Sequence, residues 1–194
     1  MSPATHFLAG WLLANTAALD RRERALIACA SVIPDVDGLG AIPELLTRNS
    51  NHPVLWFSQY HHALHTLLFA LIVTAAAFFL AEHRWKTALL VFLSFHLHLF
   101  CDLIGARGPD GYPWPIPYLF PFSRALQLTW HHQWALNAWP NVAITVVLLL
   151  ATLWLAWKKG VSPLEFVSKG ANKAVVDALR ARFSMRGQEN SATR

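Results

Sequence analysis

The stretch His96-Leu97-His98-Leu99-Phe100-Cys101-Asp102 sets polar side chains inside the apolar run Lys86 to Ile104. Residues four apart on a helix lie about 40° apart around its axis, so His98 and Asp102 share a face. Imidazole and carboxylate at that spacing make half of a metal site. Burying either without a partner is costly, and more so in lipid. His96 is rotated about 200° from His98 and is expected to be a hydrogen-bonded helix histidine instead of a ligand.

Other segments carry the same chemistry. Thr5-His6 opens an apolar helix running to about Ala18, with Gly10 one turn on; taken alone, His6 reads as a capping or solvated residue. Pro34-Asp35-Val36-Asp37-Gly38 brackets two carboxylates in a turn. Asp35 and Asp37 there either converge on a cation or form an ordinary Asp-rich turn. Tyr60-His61-His62-Ala63-Leu64-His65-Thr66 precedes an apolar helix. At successive helical positions His61, His62 and His65 fall within about a 100° arc, so any two can face one point. Packing does not account for such a group, and metal ligation does. His131-His132 is a weaker candidate, being a pair with no nearby carboxylate.

The elements that must hold these residues are apolar helices. The chain has 194 residues, is 55% hydrophobic and only 14% charged, which is too apolar for an ordinary soluble domain. The runs Thr66 to Ala81, Thr87 to Ile104 and Asn141 to Trp157 each cover about 25 Å as helix, near the short end of what crosses a bilayer. Nine Trp residues suit the interfacial belts. The expected fold is all-α: a membrane-embedded helical bundle with a metal cluster near one membrane face. Residues 1–157 form the membrane domain, and 158–194 a basic amphipathic helix that opens at Ser162-Pro163 and ends in a disordered tail. The first two helices are too short to span and should pair as a hairpin. Cys29 and Cys101 lie in apolar helices with no CxxC spacing, so neither a disulfide framework nor a thiolate zinc site is indicated. No removable signal peptide is expected at the start.

Charge placement orients the bundle. From Lys158 onward eight Lys/Arg face three acidic residues, which accounts for the whole net charge of +5. The basic character belongs to the tail, which argues against a nucleic-acid partner and for membrane lipid. Arg21, Arg22, Arg24, Arg84, Lys86, Lys158 and Lys159 fall at one set of helix ends, and the His/Asp residues at the other. By the positive-inside rule the tail is expected to be cytoplasmic and the cluster to open toward the outside, which at a bacterial inner membrane would be the periplasm. Gly105 to Asn141, rich in Pro, Gly and aromatic residues, should form a rigid interfacial loop over the cluster. Its Arg107 and Arg124 are candidate anion clamps, since guanidinium matches phosphate oxygens two at a time; each reads equally as a headgroup-snorkelling arginine.

His6 with Gly10, Pro34-Asp35-x-Asp37, the histidines around 61 to 65, and His98-x-x-x-Asp102 followed by Pro121-Phe122-Ser123 resemble the YdjM-like family of predicted inner-membrane metal-dependent hydrolases. That family is in turn distantly similar to bacterial zinc-dependent phospholipase C. The resemblance implies that His6, Asp35, one of His61 or His62, His65, His98 and Asp102 are metal ligands, with Asp37 as a ligand or its supporting partner. The middle motif departs from the family's usual His-Arg-Gly-x-Thr-His-Ser. A third metal would need later His and Glu residues, so two divalent ions, zinc by donor type, are expected. The implied chemistry is hydrolysis of a lipid or lipid-linked phosphoester by a metal-activated water. Asp102 could then bridge the ions, Asp35 would complete a site or orient the water, and Arg107 or Arg124 would offset charge on the leaving group. The alternatives from the residues alone are a metal or proton transporter, and a membrane protein with a structural metal.

Overall fold

A computed structural model describes residues 1–57, 62–108 and 111–192, with side chains through residue 183. The chain is all-helical: α1 (Pro3–Ala14), α2 (Arg21–Ala30), a 3-10 segment (Ile33–Gly40), α3 (Ala41–Thr47), α4 (Leu67–Leu80), α5 (Arg84–Gly105), α6 (Trp139–Lys159), a 3-10 turn (Pro163–Phe166) and α7 (Lys169–Ala192). Among the described residues β structure is limited to two isolated bridges, Arg107 with Ala135 and Ile116 with Leu128.

Local chemistry sets the helix starts. Ser2 caps α1 by accepting from the Thr5 N–H, with proline following in the first turn. Asp20 and Glu23 form a reciprocal capping box on α2. Thr66 caps α4, accepting from the Phe69 N–H, and the Tyr118 carbonyl accepts from the Leu67 N–H. Helix α6 ends at Gly160, whose φ of 72° suits a left-handed cap.

Two helices, α5 and α6, are long and apolar enough to cross a bilayer. The bent pair of α2 with the segment Ile33–Thr47 makes a third passage if counted as one. The run Thr66 to Ala81, expected to span, yields an α4 of 14 residues. Its cap at Thr66 and its extended end at Ala81 leave it about 21 Å long, short of the roughly 30 Å core. The helix expected at Ser162-Pro163 is likewise a single 3-10 turn, and α7 begins at Lys169. Ser162 is occupied elsewhere: its N–H and hydroxyl both donate to Asn172 Oδ1.

The contacts sort the bundle into two ends. Thr5 pairs with Thr145 at 2.6 Å, and Lys159 donates to the Asn15 carbonyl at 2.7 Å, so α1 and α6 run parallel. Ser31, at the close of α2, meets His98 near the close of α5, while Glu23 meets His83 and Thr87 where α5 begins. Buried Ala14, Leu19, Ile27, Ala30, Ala77 and Val91 fill the core toward the basic end. Ala70, Phe95, Leu99 and Ile116 fill it toward the other.

Gly10 is what lets α1 lie so close. A Cβ there would fall 2.2 Å from Ser31 Oγ and 3.0 Å from Ser94 Oγ. Only glycine permits that approach. It brings His6, one turn earlier, against the end of α2 and against α5.

Candidate metal centre

His98 projects from α5 with its tautomer set. Its Nδ1–H donates to the Ser31 carbonyl at 2.9 Å, which turns the Nε2 lone pair toward Asp102 Oδ2 at 3.1 Å. The expected pairing of His98 and Asp102 across one helix turn is therefore present. His65 Nε2 approaches from the turn before α4, 3.0 Å from His98 Nε2 and 3.5 Å from Asp102 Oδ2. Asp35, on the 3-10 segment, brings Oδ1 to 3.7 Å from His98 Nε2 and 3.9 Å from His65 Nε2.

These four donor atoms lie at separations that can be compared with those of a tetrahedral ligand set. Ligands about 2.0–2.2 Å from a tetrahedral ion lie roughly 3.3–3.6 Å from one another. The five separations just given run from 3.0 to 3.9 Å. Two imidazoles and two carboxylates are also a donor set that suits zinc. His6, Asp35, His98 and Asp102 together form a group whose ligand atoms all lie within 4.8 Å of one another.

Asp102 also faces a second direction. Its Oδ1 lies 3.1 Å from His6 Nε2 and takes a hydrogen bond from the Met1 amino group. Both ring nitrogens of His6 are buried without an aligned hydrogen bond among the described residues. The His6 ring lies against that of His98, centroids 3.9 Å apart. Asp102 thus faces one histidine through Oδ1 and two through Oδ2, the arrangement a carboxylate bridging two cations would need.

Asp37 stands behind His65, its Oδ2 3.5 Å from Nδ1, and accepts from the Leu64 N–H at 3.2 Å. A carboxylate on the far nitrogen of a ligating histidine orients the ring and raises its basicity. Burial alone would lower the His65 pKa, but the Asp102 and Asp37 carboxylates outweigh it and hold the imidazole up at about 9. In His6 burial prevails over Asp102, and the pKa is lowered.

The helical arc expected for the middle histidines does not form. Residues 62–66 make a turn, closed by the His65 N–H donating to the His62 carbonyl, and His62 takes a left-handed φ of 76°. His62 is buried, its ring packed on His65 at 4.6 Å and on Trp114 at 5.6 Å. His61 lies outside the described residues. His96 is the hydrogen-bonded histidine expected, joined to the Phe92 carbonyl and the Tyr118 hydroxyl.

The two candidate arginines lie apart from this group. Arg107 donates to the His131 carbonyl at 3.3 Å, and its Nε–H is buried with no acceptor among the described residues. Arg124 lies over the Phe120 ring at 5.9 Å. His131 and His132 stack on each other, 3.9 Å between centroids. A residue the sequence did not single out, Gln133, ties the loop to the site: its amide donates to the Asp102 carbonyl at 2.7 Å and accepts from the Trp114 N–H at 3.2 Å. Asn141 does the same one turn on, donating to the Gly105 and Leu136 carbonyls and accepting from the Trp134 indole. Neither has a local pattern that marks it in advance.

A cavity opens onto the cluster. Asp35 and Asp102 lie on its wall with Leu39, Phe57, Trp114 and Leu136. Two carboxylates of the candidate centre therefore meet a space otherwise dominated by apolar side chains.

Neither a curated protein nor a solved structure matches the chain. The family model described as YdjM inner membrane protein matches residues 1–168, a span that holds the whole His/Asp group and both full-length apolar helices. A bundle with bilayer-length helices, carrying its polar cluster at one end, is thus a member of the YdjM inner membrane protein family.

Proposed function

We propose that this protein is a membrane-bound metal-dependent hydrolase that cleaves a lipid or lipid-linked phosphoester with two divalent ions, zinc by donor type. The carrying observation is the division of Asp102 between two directions, Oδ2 toward the His65, His98 and Asp35 corner and Oδ1 toward His6. A structural site is closed by four protein ligands, whereas a catalytic one keeps a position open. The His65 corner has four donors, but His6 and Asp102 Oδ1 are only two. That difference favours hydrolysis over a purely structural metal.

A divalent ion bound there lowers the pKa of a bound water to about 7 and offsets charge on a phosphoryl oxygen. The chain's own residues do the rest. The Ser31 carbonyl and Asp37 hold His98 and His65 with their Nε2 atoms facing inward. Asp35 Oδ2 is buried without a hydrogen-bond partner among the described residues, and so is able to hold the proton of an attacking water. Phe57, Trp114, Leu39 and Leu136 exclude bulk water and accept the apolar part of the substrate. Arg107 follows Ala106, which lines the cavity, and its Nε–H, without an acceptor among the described residues, suits a phosphate oxygen. Arg124, exposed over Phe120, is the better match to a lipid headgroup. With the basic turns cytoplasmic, the cavity opens toward the periplasm and the tail stays inside.

The test is elemental analysis of detergent-purified protein beside its His98→Ala and Asp102→Ala variants, with phosphodiester and phosphomonoester hydrolysis measured on the same samples. About two zinc-like ions per chain, lost with activity in the variants, is the expected result. Metal bound without turnover of any phosphoester would overturn the hydrolase reading. Protein free of metal would overturn the centre itself.

A further inference from the structure

A second feature lies at the opposite end of the bundle. Helix α7 folds back on α6, leaving an apolar groove lined by Leu150, Leu153, Trp154, Trp157, Leu179 and Phe183. Its wall is open outward: Leu150 and Trp154 are each 60% exposed, and Phe183 is 51% exposed. Trp157 links this groove to charge. Its carbonyl accepts from Arg180 Nε at 3.1 Å, its ring carries the Lys158 ammonium at 5.0 Å, and its ring centroid lies 6.1 Å from that of Phe183.

The rim is cationic and unneutralised. Nearby acids are already engaged: Glu165 receives a two-pronged bond from Arg24 at 2.7 and 2.9 Å, and Asp177 pairs with Lys173. Among the described residues neither Lys158 nor Arg180 has a carboxylate partner. The groove also has a direction. Leu150 lies nine residues before Lys159, about 13 Å along the helix axis, close to half of a roughly 30 Å hydrocarbon core. Depth and charge together describe a single-leaflet chain below an anionic head.

We propose that this groove is a binding site for one anionic phospholipid, with an acyl chain against Trp154, Leu179 and Phe183 and the phosphate held by Lys158 and Arg180. The site is independent of the metal centre. Bulk zwitterionic lipid would cover the apolar wall equally well, but its phosphate is already balanced by its own ammonium group and brings the two cations no net counter-charge.

The test uses the full chain reconstituted in phosphatidylcholine bilayers containing increasing amounts of phosphatidylglycerol or phosphatidylcholine with brominated acyl chains. Bromine quenches only indoles it touches. The signal of Trp154 and Trp157 is obtained as the difference from the Trp154→Phe/Trp157→Phe variant. Two basic residues predict roughly 30-fold stronger apparent binding of phosphatidylglycerol than of phosphatidylcholine. In the Lys158→Ala/Arg180→Ala variant the two lipids should quench equally. Both side chains are exposed, so the variant should fold, and its unchanged helical circular dichroism verifies this. Equal quenching in the parent protein would overturn the proposal, as would a preference for phosphatidylglycerol that survives in the double alanine variant.

Discussion

The Nε2 atoms of His65 and His98 face each other at 3.0 Å, although 33 residues separate them in the chain. Each ring is turned that way by an acceptor at its other nitrogen, Asp37 for His65 and the Ser31 carbonyl for His98. With no proton on either Nε2, the two imidazoles would present both lone pairs to one point, beside two carboxylates. A shared cation there, or a proton, relieves the repulsion.

Stoichiometry separates the two corners. Asp102→Ala removes an oxygen from each, and metal content should fall from about two ions to none. His6→Ala removes a donor only on the Oδ1 side and should leave about one ion bound. Asp37→Asn keeps every ligand but weakens the hold on His65, with affinity down roughly 10- to 100-fold. Elemental analysis and competition with a chromophoric chelator measure all three, and equal losses in His6→Ala and Asp102→Ala would count against a bridging carboxylate.

Proton release gives a second check. A ligating His65 must be neutral, and its pKa of about 9 means it is protonated at pH 7 without metal. Metal binding near neutrality should therefore release its proton. Apparent affinity should rise about tenfold per pH unit up to about pH 9 and level off above it. Titration calorimetry in buffers of different ionisation enthalpy counts the protons directly.

Gly10 should resist enlargement. In Gly10→Ala the new methyl meets Ser31 Oγ at 2.2 Å and Ser31 Cβ at 2.6 Å, so α1 must shift. Overpacking of this kind costs about 1–3 kcal/mol, and here it also moves His6 off Asp102. Thermal unfolding in detergent should show a lower Tm together with loss of the second ion. Ser31→Gly on the same background removes the clashing side chain, keeps the carbonyl that orients His98, and should restore both in part.

Glu23 should behave in the opposite way. Its buried carboxylate accepts from the His83 N–H at 2.7 Å and the Thr87 hydroxyl at 3.1 Å, and closes the capping box with Asp20. Glu23→Ala leaves those donors unpaired and should cost about 1–3 kcal/mol. Metal content should not change, because Glu23 sits at the basic end of the bundle. A lower Tm with full metal occupancy is the expected pattern.

Much of the site was legible because helix geometry is local. The spacing of His98 and Asp102 places them on one face whatever surrounds them, and the structure has them 3.1 Å apart. The histidines before α4 were legible as a group but not in their geometry. A turn with a left-handed His62 replaced the helix, so an arc argument based on helical steps no longer applied. Gln133 and Asn141 were invisible, since an amide in a loop acquires a role only from the carbonyl it reaches.

The sequence by itself determined the apolar helices, the pairing of His98 with Asp102, and the sorting of basic turns to one end and His/Asp residues to the other. All of these follow from the period of the backbone and from the hydropathy of contiguous residues. Only the tertiary structure decided that Asp102 turns one oxygen to His6 and the other to His65 and His98, that Asp37 supports His65, and that α4 stops short of a span. Those outcomes depend on how closely α1 seats at Gly10 and on the turns that aim Asp35 and His65. Distances between elements come from packing and chain reversal, which no local period encodes.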